Sequence, residues 1–262
     1  MLRWSINLFR VFGIQLAVHV SFFLLLAYYG YDGWKDGGVV GLSWSISLII
    51  LFFVCVVLHE LGHSLTARRF GVRVPRILLL PIGGMAEFDR IPKKPSEELL
   101  ITAAGPAVNF ALVILLLPLC WRTLLSGTEV AEFSSASFLM QLWFGNLLMG
   151  TFNLLPVFPM DGGRIFRALL AIRLPYLRAT YWAVKIGRIL APVFAVTAYY
   201  FGFKIVCILF LFIFWVGDLE YKHTLRRDEE DRYWAEMSRQ VKVAEPASSE
   251  PPVPPLLNPG SN

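Results

Sequence analysis

Charge is scarce in this chain. Only 16% of its 262 residues are Asp, Glu, Lys or Arg, against 56% hydrophobic, and the mean hydropathy is +0.59. Soluble domains run nearer a quarter charged, so an ordinary soluble domain is excluded. Cysteine is equally sparse. Cys55, Cys120 and Cys207 lie in or beside apolar runs, with the spacing of neither a metal site nor a disulfide framework. They read as small buried hydrophobes. The net charge of +5 points to neither nucleic acid nor a basic substrate. Nothing resembles a cleavable signal peptide, because no small-residue cleavage site follows the first apolar run and such runs recur along the chain. No internal repeat and no second folded domain is visible.

What the chain has instead is long uncharged stretches. Those from Leu42 to Leu58 and from Leu99 to Cys120 match the roughly 20 residues a helix needs to cross a bilayer. An all-α membrane protein is expected, with about six transmembrane helices near residues 16–32, 42–66, 98–121, 136–155, 183–201 and 203–219. Residues 189–216 read as one helix would be about 42 Å long against a hydrocarbon core of ~30 Å, so a break is expected at Gly202. Lys and Arg then sort by side: 21 of the 24 fall on the side of the termini, and only Lys35, Arg122 and Lys204 on the other. That asymmetry places both termini and the end of the second helix in the cytoplasm, in a multi-pass protein of the cell membrane.

Two stretches look extended. Ile6 to Val18 alternates apolar positions around Gly13, as a short β-hairpin would. Val72 to Phe88 contains β-branched residues, Pro75, Pro81 and the pair Gly83-Gly84, too interrupted for a spanning helix. Such a re-entrant element after the second helix survives at membrane depth only against protein or a wet cavity. A membrane domain is expected over residues 1–220, and a cytoplasmic tail over 221–262. The tail is charged from Tyr221 to Val243, then Pro- and Ser-rich and partly disordered from 245.

His59-Glu60-Leu61-Gly62-His63 carries the chemistry. On a helix, residues four apart share a face, so both imidazoles can reach one zinc ion. Glu60 lies near enough to serve as general base toward water acidified by the metal. Two His and a Glu at the end of an apolar helix are costly unless they function or pair. Zinc wants a third protein ligand. His223 falls in the charged tail, and His19 is best read as an interfacial or packing histidine. Asp161 is set in a helix-breaking run from Pro156 to Gly163. Local sequence leaves two roles open for it: ligand, or N-cap of a helix starting near Arg164. The expected topology favours the ligand, since His63 and Asp161 both fall at cytoplasmic helix ends.

HELGH late in the second span, followed by Asn153-Leu154-Leu155-Pro156 leading into Asp161-Gly162, resembles the site-2 protease family of intramembrane zinc metalloproteases. Gly83-Gly84, Ala104-Gly105-Pro106-Ala107-Val108-Asn109 and the opening Gly13-Ile14 to His19-Val20-Ser21 extend the resemblance over residues 1–170. It implies one zinc ion held by His59, His63 and Asp161, and Glu60 as the catalytic base. It also implies that Asn153 donates to the oxyanion or positions substrate, the alternative being a bridge between helices. Asn109 stays outside the expected catalytic set, and Gly105 with Ala104 is read as close helix packing. Neither a PDZ-like insertion nor a CBS pair has room, so a minimal member is expected.

The leading reading is a protease that cuts transmembrane-helix substrates in the lipid bilayer, in regulated intramembrane proteolysis. An upstream protease or a regulatory membrane partner accords with the family pattern. The Val72–Phe88 segment could hold an unwound substrate by edge pairing. A metal transporter would need several metal-binding groups along a path, and a silent relative would not need Glu60 intact.

Overall fold

The computed structural model describes residues 4–89, 92, 94–126 and 131–244. The Pro- and Ser-rich end from 245 lies outside them, as does the side chain of His223.

The chain opens with β1 (Ser5–Val11) and β2 (Ile14–His19). They form the expected antiparallel hairpin, turning on Phe12 and Gly13, both with positive φ (50° and 81°). The Arg68 guanidinium donates to the Phe12 carbonyl and ties this turn to the helix that follows. That helix, α1 (Ser21–Arg69), is interrupted at Gly37 and Gly38. Gly38 has φ 57° and ψ −136°, a backbone open to glycine and strained for a residue with a Cβ. The chain doubles back there, and residues 21–36 lie against 39–69. A Cβ on Gly33 would strike the Gly41 carbonyl, and one on Gly30 would press on Leu42 and Ile46.

After α1 come β3 (Arg76–Leu80) and β4 (Gly83–Glu87). β3 pairs in parallel with β2, Leu16 opposite Ile77 and Ala17 opposite Leu78, and antiparallel with β4. The two extended stretches therefore form one sheet of order β1-β2-β3-β4, with the α1 hairpin as the crossover that parallel strands require. This corrects the expectation of two separate elements. It also corrects the first span: Ile14, Leu16, Ala17 and Val18 are buried in an interior strand, which reads as an apolar run because both its faces are covered. The helix starts at Ser21 after the N-cap Val20, and the Ser21 backbone N–H donates to His19 Nδ1 at 3.2 Å.

The remaining helices are α2 (Pro95–Ser126), α3 (Ser135–Asn153), α4 (Asp161–Ala171), α5 (Tyr176–Tyr200) and α6 (Lys204–Ala244). α5 and α6 part at Gly202 (φ 81°), where the break was expected. α6 runs on from the apolar stretch through the charged one. Among the described residues, α1, α2 and α5 are long and apolar enough to cross a membrane. The sheet packs through Ile14, Leu16, Val18, Ile77 and Leu79 onto Phe22, Phe53, Val56 and Leu61 of α1, and onto Ile101 of α2. The second half of α1 is thus held between a sheet and a helix.

Substituting Gly33 by Val would force the two arms of α1 apart. Overpacking of this kind costs about 1–3 kcal/mol, so thermal unfolding in detergent is expected to shift to lower temperature, whereas Gly13→Ala, with nothing within 4 Å of the added Cβ, meets only the cost of its positive φ.

Candidate metal centre

His59 and His63 lie one turn apart on α1 and are both buried. Asp161 is the first residue of α4. Pro156 and Pro159 keep the chain irregular between α3 and α4, and the helix begins at Asp161, three residues earlier than expected. Met160 holds the N-cap position without a side-chain cap bond. The carboxylate of Asp161 is turned instead to the histidines, with Oδ2 3.1 Å from His63 Nε2 and 3.3 Å from His59 Nε2. The two Nε2 atoms are 3.1 Å apart.

The far side of each ring fixes its proton. His63 Nδ1 is 2.8 Å from the Ile101 carbonyl, which can only accept, so the proton sits on Nδ1. For His59 the same result follows through a chain of amides. The Leu142 carbonyl accepts from Asn146 Nδ2 at 2.9 Å, and Asn146 Oδ1 accepts from Asn109 Nδ2 at 3.1 Å. Asn109 therefore presents Oδ1 to His59 Nδ1, at 2.5 Å. Both Nε2 lone pairs then face inward. The first turn of α4 favours the anionic form of Asp161.

Three lone pairs thus converge in a buried space, an arrangement that repels itself unless a cation lies between them. The donor set fits zinc. Ligands about 2.0–2.1 Å from a tetrahedral ion stand roughly 3.3–3.4 Å apart, close to the three separations found here. His59, His63 and Asp161 form one group able to hold a metal ion among the described residues. Gly105 of α2 lies beneath both rings: a Cβ there would collide with His63 and come within 2.8 Å of His59 Nε2. The glycine expected to serve helix packing therefore also makes room for the imidazoles.

Glu60, half-buried, faces a cavity of about 640 Å³ that Asp161, Asn153, Arg164, Gly84 and Met85 help to line. A Cβ on Gly84 would come within 3.1 Å of Glu60 Oε1, so only a glycine in β4 leaves this carboxylate its space. Asn153, at the end of α3, lines the same cavity. All five residues singled out in the sequence thus meet in one place. Asn109, left outside the expected catalytic set, orients His59, and Asn146 and the Ile101 carbonyl, which the sequence does not single out, complete the support of the two rings. The two asparagines carry a signal, since polar side chains are costly in apolar spans, but the partners that link them to the site lie 37 and 50 residues away.

A HExxH helix with the aspartate of a distant short helix beside its two histidines makes a group that can hold a metal ion, and the chain is similar to known zinc metalloproteases. The profile of peptidase family M50 matches residues 47–127 and 123–194; the chain belongs to that family. It is 43% identical over 197 residues to Zinc metalloprotease MJ0392 of Methanocaldococcus jannaschii, covering 72% of this chain and 52% of that one. It is 30% identical over 165 residues to Stage IV sporulation protein FB of Bacillus subtilis, covering 63% and 51%. The solved structure of the site-2 protease from M. jannaschii superposes with a TM-score of 0.59 at 38% identity, covering 83% of this chain and 95% of that one. The chain spans about half the length of the curated relatives it matches.

Loss of the amide partner should tell on metal affinity. Asn109→Leu leaves His59 without an acceptor, and weakening of zinc binding by about 10- to 100-fold is expected, measured by chelator competition. Asn109→Asp, which keeps an acceptor at that place, should retain binding. Gly105→Ala should lower the zinc content of the purified protein.

Proposed function

We propose that this chain is an intramembrane zinc endopeptidase that cuts peptide bonds within or near transmembrane helices of other membrane proteins. The observation that supports it most is the cluster of His59, His63 and Asp161 set beside Glu60, at a cavity bounded by the edge of a sheet.

His59, His63 and Asp161 would hold one zinc ion. Bound there, zinc would lower the pKa of a coordinated water toward about 7 and polarise the scissile carbonyl. Glu60 acts as general base: it takes the proton from the attacking water and delivers it to the leaving amide nitrogen. Asn153 donates its amide N–H to the carbonyl oxygen as negative charge develops there. The rings of His59 and His63, pinned through Nδ1, keep the donor atoms in place throughout.

A substrate helix hides its carbonyls in its own hydrogen bonds and must unwind before it can be cut. β4 is paired on one side only and lies over Glu60, so an unwound segment added along its free edge would pass the catalytic carboxylate. Within the Val72–Phe88 segment, β3 lies between β2 and β4, so the edge belongs to β4. We read six spans, residues 21–36 and 39–69 of α1, then α2, α3, α5 and the first part of α6, with both termini cytoplasmic and the centre toward that face, in the cell membrane. Cleavage there would release a cytoplasmic factor or clear remnants left by an earlier protease. Transport of metal finds less support, because one cluster of ligating side chains is present among the described residues where a path needs several.

The test uses purified protein in detergent with a labelled membrane-helix substrate. Glu60→Gln is expected to lower turnover by about 10²- to 10⁴-fold while zinc content stays unchanged; normal turnover would remove Glu60 from the base role. Chelation should abolish cleavage, and added zinc should restore it. Pro placed at 85 or at 86, successive residues of β4, should block helix cleavage at one of the two while a short unstructured peptide is still cut. Uptake of metal without any cleavage would favour transport.

A further inference from the structure

We propose that Arg167 is a positioning residue for Asp161, tying the third donor to the helix that also orients both histidines. This rests on the reading of His59, His63 and Asp161 as metal ligands, and concerns how the most remote of them is held.

α4 has only 11 residues, too few to keep its place alone, and it follows an irregular loop. Arg167 lies two turns into it and is 2% exposed. Its Nε donates to Glu98 Oε1 at 2.9 Å, and its Nη2 donates to the same oxygen. Its guanidinium carbon stands 5.1 Å from the ring centre of Phe158 and 5.0 Å from that of Tyr176. Phe158 belongs to the loop three residues before Asp161, and Tyr176 opens α5. One cation therefore grips the chain on both sides of Asp161 and fastens it to α2. Both charges are buried, so removing one alone takes from the other a charge-assisted hydrogen-bond partner in a place water does not reach.

Where Glu98 sits gives the pair its second role. Glu98, Ile101, Gly105 and Asn109 follow one another along a single face of α2, at the spacing of helical turns. Ile101 holds His63, Asn109 holds His59, and Gly105 lies beneath both rings. Through Glu98 and Arg167 the same stripe also holds the segment carrying Asp161. All three donors are referred to one face of one helix. A general anchor between helices would not need to share that stripe.

The test measures zinc affinity of the full-length chain in detergent by chelator competition, together with its thermal midpoint. Arg167→Met is expected to weaken zinc binding about 10- to 100-fold, as loss of outer partners does elsewhere. Arg167→Lys, which keeps the charge but loses the fork and the stacking, should fall between. Glu98→Gln keeps Oε1 as an acceptor without its charge, and should also weaken binding; this near-isosteric change carries the test if Arg167→Met does not fold. In an Asp161→Asn background, Arg167→Met should cost little more, since the donor it positions is already lost. Unchanged affinity in the folded variants, with only the thermal midpoint lowered, would make Arg167 a structural pin and overturn the inference. Equal losses with and without Asp161 would overturn it too. Failure of the wild-type chain to bind zinc would overturn the metal centre itself, a result distinct from either.

Discussion

Two imidazole nitrogens and a carboxylate oxygen stand 3.1–3.3 Å apart in a buried space, and their mutual repulsion is the constraint the rest of the molecule is arranged around. Left free, each group would turn toward a proton donor or toward water. They cannot turn. The Ile101 carbonyl and the Asn109 amide fasten the rings from behind. Asn109 is itself fastened through Asn146 to a backbone carbonyl of α3. A hydrogen bond that ends on a backbone carbonyl has only one possible direction, so orientation passes from main chain to amide to imidazole without ambiguity. The polar atoms of this interior are few, and those that orient the rings end on the donors or on the backbone.

The same helix face that binds also defines what must be small. Gly105 leaves space for the rings, and Gly84 on the opposite side leaves space for Glu60. The carboxylate and the donors are thus approached from two sides by backbone rather than by side chains. Their common border is the cavity, whose wall is β4, the edge strand of the sheet among the described residues. The sheet, which brings residues 5–19 beside residues 76–87, is the reason that wall stands where it does: β2 and β3 pair in parallel across the whole length of the α1 hairpin, and β4 is carried to the cavity by β3.

Much of this could be read from the residues alone. HELGH announces itself because two histidines at helical spacing have few other uses at the end of an apolar span. For Asp161 the local residues left ligand and N-cap equally open, and only the expected placement of His63 and Asp161 at helix ends on one side favoured the ligand. Strand character near the N-terminus and in Val72–Phe88 showed in the alternation and in the prolines. What stayed hidden was long-range. Nothing local says that β2 pairs with β3, and so the buried strand from Ile14 to Val18 passed for the start of a span. Nor does anything near Asn109 point to His59, or anything near Glu98 point to Arg167, 69 residues away. Pairings of that kind depend on how helices cross, which the hydrophobic pattern of each helix does not encode.

The distance along the chain between His63 and Asp161, 98 residues, bears on when the centre can exist. During synthesis both histidines leave the ribosome well before their third companion. A chain halted before α4 holds a pair of imidazoles one turn apart and no carboxylate to complete them. The full set of donors therefore exists only after α1, α2 and α3 have been made, and the short helix α4 closes the group last.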